Sequence, residues 1–146
     1  IMAEVIVKQA ITEAEMAALR ALRMAVFIEE QGVPEELEID ALDALAYHAV
    51  ACVDDAIIGT GRLLVLPGGD ALIGRMAVQI DVRRIGVGGH VLQFLEAAAV
   101  KLGVSEVIVH AQTYVSEFYS RAGYNTEGEP FDEAGIQHII MRKSLK

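Results

Sequence analysis

Tryptophan is absent from this chain of 146 residues, and cysteine occurs once, at Cys52. A single thiol closes no internal disulfide, so the fold is not a disulfide scaffold, and an unpaired cysteine suits a reducing cytoplasm. Cys52 lies in an apolar run with no histidine or basic neighbour, the setting of an inert packed thiol rather than a nucleophile. Proline appears only three times and 53% of the residues are apolar, a composition that folds rather than stays disordered. No apolar run nears the roughly 20 residues of a membrane span and no signal peptide opens the chain, so no membrane partner is expected. Basic residues are scarce: 12 Lys and Arg stand against 21 Asp and Glu, a net charge of −9. That excludes the basic face a nucleic acid needs. It favours a cationic partner such as an amine, although acidity also serves plain solubility. The four histidines have no H-x-x-x-H spacing, and no metal is expected.

What is present reads as one domain over 1–146, with no repeats, linkers or low-complexity tracts. Val5 and Val7 alternate with polar neighbours in a first strand, Met2 to Gln9. Thr12-Glu13-Ala14-Glu15 is a capping box that opens a helix, and Met16, Leu19, Leu22, Val26 and Phe27 carry its apolar stripe to about Glu30. Gly32 and Pro34 end it, and the acidic stretch Pro34 to Asp43 forms a short helix or an ordered loop. Three β-rich runs follow, Tyr47 to Val53, Ile57 to Leu66 and Ala71 to Gln79, split by Asp54-Asp55 and by Pro67-Gly68-Gly69-Asp70. Next come a helix Gly88 to Leu102, a strand Glu106 to His110 and a short helix Val115 to Arg121 closed by Gly123. Strands Asn125 to Gly128 and Gln137 to Lys143 flank a turn-rich Pro130 to Gly135. The order β-α-(α)-β-β-β-α-β-α-β-β predicts an α/β (α+β) fold whose central sheet is mixed with helices on both faces. Ligands settle where the strand pattern of such a sheet changes direction, here between the Ala71 and Glu106 strands.

Beside that point lies the most informative segment, Val82-Arg83-Arg84-Ile85-Gly86-Val87-Gly88-Gly89-His90. A strand that leads through a basic, glycine-rich turn into a helix can gather backbone N–H groups on one anion at the positive end of the helix dipole. Arg83 and Arg84 would add charge-assisted donors, and Arg75 could join them. The dinucleotide fingerprint fails, because its third glycine position is Val91, and the P-loop fails for want of Lys-Ser/Thr after Gly89. A plain strand-to-helix turn would also account for the glycines.

Arg83, Gly86 and Gly88 match R-x-x-G-x-G, which resembles the loop with which GNAT acetyltransferases bind the pyrophosphate of acetyl-CoA. Ile73-Gly74-Arg75-Met76-Ala77-Val78 resembles the family strand that hydrogen-bonds the pantetheine arm. Gln112, Phe118, Tyr119, Gly123 and Tyr124 match the family pattern Asn-x(5)-Φ-Tyr-x(3)-Gly-Phe, with Gln and Tyr replacing the commoner Asn and Phe. Arg23-x-x-Val26-Phe27-x-x-Glu30-Gln31-x-Val33-Pro34, Glu38-x-Asp40-x-x-Asp43, His48, His110-Ala111-Gln112 and Gly135-Ile136-x-His138 resemble the ElaA/YjcF-like branch.

The resemblance implies the GNAT acyl-CoA N-acyltransferase fold, with a mostly antiparallel sheet, and a cytoplasmic enzyme that moves acetyl from acetyl-CoA to a primary amine. The alternative is a non-catalytic acyl-CoA-binding sensor or interaction module. Met76, Ala77, Val78, Arg83, Arg84, Ile85, Gly86, Val87, Gly88, Gly89, His90 and Gln112 would hold the cofactor, with the Val78 N–H as oxyanion donor. Tyr119 would serve as general acid to the departing thiolate. For the base, Glu30 overhangs from the end of the first helix; Glu29, His48, His110 and His138 are also chemically able, and a water relay is an equal alternative. Glu29, Gln31, His48 and His138 would meet the acceptor, and Asp40 and Asp43 either help or are merely solvated. The β-rich C-terminal segment could supply a homodimer interface.

Overall fold

The computed structural model describes residues 4–38 and 40–146, with Arg84 described in its backbone alone. The expected strand start at Met2 lies outside the described residues; strand β1 is Val5–Gln9. Helix α1, Glu13–Arg23, opens on both halves of the capping box: Glu15 N–H donates to Thr12 Oγ1 at 3.1 Å, and Thr12 N–H to Glu15 Oε1 at 2.9 Å. After Arg23 the helix continues but widens. Over Met24–Glu30 its bonds reach the fifth residue back, as Gln31 N–H to Val26 O does at 3.1 Å. The apolar stripe locates the helix but cannot show this extra width, a distortion frequent at functional sites. The acidic stretch resolves into α2, Glu35–Glu38, and a 3₁₀ turn, Ala41–Leu45.

Strands β2 (Tyr47–Val53), β3 (Ala56–Val65) and β4 (Ala71–Val78) form an antiparallel meander. A 3₁₀ turn, Ile80–Ile85, then leads to α3, Val87–Lys101. Strand β5 (Glu106–Gln112), helix α4 (Ser116–Arg121), β6 (Asn125–Glu133) and β7 (Ile136–Ser144) complete the chain. The sheet order is β1-β2-β3-β4-β5-β7-β6, and β4–β5 is its one parallel pair among the described residues. No described helix is long and apolar enough to cross a membrane.

Alternation along β2 assigns the two faces. Ala49 and Ala51 pack in one cluster with Val87, Val91, Leu92 and Leu95 of α3, while Val50 joins Leu19 of α1 on the other side. Each fully buried branched side chain contributes roughly 1.5–3 kcal/mol of transfer free energy. Glycines in β3 let α3 approach closely. A Cβ at Gly61 would lie 2.6 Å from Met76 Sδ and 2.8 Å from Leu95 Cδ1, and one at Gly59 would lie 2.7 Å from Val87 Cγ1.

One boundary differs from the sequence expectation. Strand β6 runs through Pro130 to Glu133, so the turn is only Ala134-Gly135, both with positive φ (54° and 78°). Pro130 is tolerated because β6 is an edge strand and its pairing with β7 slips between Glu127 and Phe131.

Candidate active site

The β4–β5 pairing is short: Ala71, Leu72 and Ile73 align with Val107, Ile108 and Val109, and nothing beyond is paired. The cause lies in β4. Thr60 faces Ala77 and Arg62 faces Gly74, so β4 carries an extra residue there, and Arg75 takes a left-handed φ of 51°. Such a bulge bends its strand and re-aims its side chains. The two parallel strands therefore part, leaving a cavity of about 440 Å³ between them, closed on other sides by the widened turn after α1, by α4 and by the β6–β7 hairpin.

The glycine loop nears the cavity by way of Phe118, whose ring packs edge-on against that of Tyr119 with centroids 5.0 Å apart. Gly86 has φ 86°, and α3 starts at Val87 without a side-chain cap. His90 N–H makes the first helical bond, to Gly86 O at 3.2 Å, so the N–H groups of Val87, Gly88 and Gly89 have no intrahelical acceptor. A Cβ on Gly88 would lie 3.6 Å from the Phe118 ring and 3.8 Å from Val78 Cγ2, which sets this helix end between β4 and α4. The Val87 side chain is fully buried and anchors the turn, whereas Ile85 and His90 are exposed. The Arg84 side chain lies outside the described residues. Just past β4, Gln79 N–H donates to Ile58 O of β3 at 2.9 Å. In this register the N–H and C=O of Val78, one residue earlier, point away from β3, toward the gap.

Arg83 is turned from the loop. Its Nη1 and Nη2 donate to both Glu30 oxygens at 2.6 Å, and Nε donates to Val78 O at 2.9 Å. The hydrogen bond from Arg83 holds the Glu30 carboxyl below its ordinary range. With both oxygens engaged and no place on the cavity wall, Glu30 is poorly disposed to take a proton. Glu29 is exposed and does not line the cavity. Gln31 does line it and reaches across the gap: Gln112 Nε2 donates to Gln31 Oε1 at 3.0 Å, and Gln31 Nε2 donates to Tyr114 Oη at 3.1 Å.

Tyr119 lines the cavity from α4, and its side chain is 7% exposed. Burial pushes its phenol up to about 12, and its hydroxyl bonds to no other described group. It stays protonated at working pH and can donate. His138 of β7 lines the cavity beside its cross-strand neighbour Gln112. His48 does not: its Nε2 donates to Asp43 O at 2.9 Å behind the wall, and its Nδ1 is buried with no partner among the described residues. Its expected place at the acceptor is thereby corrected.

The sequence reading missed an ionic cluster at the inner wall. Buried Arg23 donates to Glu38 at 2.5 Å and to Asp43 at 2.9 Å; Arg62 donates to Asp43 at 2.9 Å and to Asp40 at 2.8 and 3.1 Å. Arg75 donates to Leu37 O, Glu38 O and Asp40, so it serves this cluster and not the anion loop. Asp43 is accordingly no solvated loop residue, whereas Asp40, with a side chain 30% exposed, lines the cavity. Burial raises the Asp43 carboxyl, but the hydrogen bonds from Arg23 and Arg62 outweigh it and hold the group below its ordinary range. The spacing Glu38-x-Asp40-x-x-Asp43 held the signal, but its arginine partners sit up to 37 residues away.

The sequence and the fold are both similar to those of known proteins. Residues 5–145 match the family model described as the acetyltransferase (GNAT) domain. The chain is 39% identical over 123 residues to the uncharacterized N-acetyltransferase YjcF of Bacillus subtilis, covering 84% of this chain and 87% of that one. Its structure is similar to that of an acyl-CoA N-acyltransferase from Pseudomonas aeruginosa (TM-score 0.85, 31% identity, 97% and 99% of the two chains covered). It is also similar to Escherichia coli ElaA (TM-score 0.83, 27% identity, 97% and 99% covered). The chain therefore belongs to the GNAT acetyltransferase family, in its ElaA/YjcF-like branch, and is an acyltransferase.

Proposed function

We propose that this acyltransferase moves the acetyl group of acetyl-CoA directly to a primary amine, with no covalent enzyme intermediate. The observation that carries the reading is the conjunction of three features: the free edge of β4 beyond Ile73, the three N–H groups at the start of α3 that lack an intrahelical acceptor, and the cavity lined by Met76 and Tyr119. Val87, Gly88 and Gly89 would hold the pyrophosphate through their N–H groups, at the positive end of a helix with no acidic residue in its first turn. The Met76–Val78 edge would align the pantetheine arm, and the Val78 N–H would receive the developing oxyanion. Arg83 would leave Glu30 to meet a phosphate. Tyr119 would donate a hydrogen bond to the departing sulfur. With its phenol near 12, complete transfer to an ordinary thiolate runs uphill by about 5 kcal/mol, so this bond stabilises the leaving group while solvent completes the protonation.

Calorimetric titration with acetyl-CoA, CoA and NAD tests the donor. The expected result is one-site binding of the first two and none of the third. Gly88→Asp sharpens the test, since residue 88 has helical backbone and a Cβ there meets only ordinary contacts. The added carboxylate should abolish acetyl-CoA binding in a folded protein, and undiminished affinity would remove the loop from the cofactor site. Release of CoA thiol with an added amine separates turnover from mere binding.

A further inference from the structure

Of the groups chemically able to take the acceptor's proton, His138 is the one whose free ring nitrogen the geometry defines. His138 Nδ1 lies 2.7 Å from Ile136 O, and a carbonyl oxygen only accepts, so Nδ1 carries the ring hydrogen. Nε2 is left with its lone pair on a ring that lines the cavity and is 6% exposed. The ring is held in place by stacking on Phe131, with centroids 6.0 Å apart. Glu133 Oε2 stands 3.8 Å from Nε2, where it would face an imidazolium at ion-pair distance. The other Glu133 oxygen accepts from His110 Nδ1 at 3.0 Å, and both of these residues reach solvent (45% and 36% exposed side chains).

We propose that His138 is the general base of the transfer, with Glu133 and His110 as positioning residues that also open a proton path to solvent. The inference rests on the amine-acetylation reading above. An acceptor that arrives as an ammonium first gives a proton to His138 Nε2, and its freed nitrogen then attacks the thioester carbon. The C–S bond breaks toward sulfur, and the thiolate is protonated from solvent under the hydrogen bond from Tyr119. The imidazolium then returns its proton to water along Glu133. Net, the nitrogen gives up two protons, one to solvent and one, by way of solvent, to sulfur, and no other reactant is needed. The charged or titratable groups around the ring are Glu133 on β6, His110 on β5 and Tyr119 on α4. Glu38, Asp40, Arg62 and Arg75 also line the cavity but are engaged in the ionic cluster. Glu30, the candidate from sequence, is bound to Arg83 instead.

The test uses the full chain with n-butylamine and, separately, hydroxylamine as probes, following CoA thiol release against pH. His138→Asn should bind acetyl-CoA like wild type yet lose about 10²–10³-fold in kcat with n-butylamine, together with the ascending limb of the pH profile. Hydroxylamine, already unprotonated at neutral pH, should lose far less, and added imidazole should restore part of the rate. Glu133→Gln should keep the limb but displace it, which a purely structural role would not do. An His138→Asn rate within about threefold of wild type, or an unchanged limb, overturns the assignment. If wild type binds no acetyl-CoA, the donor reading itself fails; if it binds and the variant behaves as wild type, only the base assignment falls.

Discussion

The carboxylate of Glu30 and the pyrophosphate of a bound CoA compete for one guanidinium. In the free protein Arg83 gives both terminal nitrogens to Glu30 at 2.6 Å, a planar two-bond fork. To contact a phosphate it must first release that fork. The two side chains are 34% and 35% exposed, so the pair belongs with surface ion pairs, worth at most about 1 kcal/mol. Glu30→Gln removes the charge and keeps the side-chain size. If the fork is lost on binding, the variant no longer carries that cost, and acetyl-CoA should bind about fivefold more tightly, the factor that 1 kcal/mol represents. Arg83→Gln should bind more weakly than wild type, and adding Glu30→Gln to it should change little, since the competing partner is already gone. Calorimetry on the four proteins gives all the terms. An affinity for Glu30→Gln equal to or weaker than wild type, with Arg83→Gln still impaired, would refute the competition. It would mean that Glu30 holds Arg83 in its working position.

Tyr119→Phe should lower kcat by about 10²-fold while leaving acetyl-CoA affinity unchanged, a pairing read from steady-state kinetics and calorimetry together. Truncating Arg23 to Ala leaves Glu38 and Asp43 buried without their shared cation, and urea unfolding should show a loss of about 3–5 kcal/mol. Asp40 and Asp43 are both held below their ordinary range by the arginines, though burial opposes this. Their contribution is therefore complete above the unfolded carboxylate value of about 3.9 and is lost as pH falls through the lower folded values. The thermal midpoint should stay level from neutral pH to about 5 and drop below about 4; a midpoint that falls already between 7 and 6 would contradict this origin.

Local signals in the sequence translated well because their physics is local. Thr12 and Glu15 are three residues apart and form the expected box; Gly86 supplies the one left-handed residue that the start of α3 requires. The meander and the crossover were legible in the same patterning; that β7 lies between β5 and β6 was not. Pro130 misled because proline is a breaker in an interior strand but admissible in an edge strand, and being at the edge is decided by the whole sheet. The site was legible in its residue types and less so in their partners. Arg83 and Glu30 are 53 positions apart, Arg75 and Glu38 37 apart, and no periodicity announces which arginine meets which carboxylate. His48 and His138 looked alike in the chain, both on strands. The packing of the 3₁₀ turn before β2 turned one into a buried brace, and the β6–β7 hairpin left the other facing the cavity.

The parting of β4 from β5 leaves the sheet unfinished at its centre rather than at its rim. Strands β1–β4 and β5–β7 are joined there by three aligned residue pairs, with helix packing doing the rest. Anything lying along the exposed backbone of the gap becomes a structural member as well as a reactant, a mortar course between two half-walls. At a concentration of 100 times its dissociation constant, such a ligand adds about 2.7 kcal/mol to the folded state. The enzyme would then be stiffest while loaded and loosest just after release, so that the departure of CoA, and not its arrival, is the moment at which the halves are free to move.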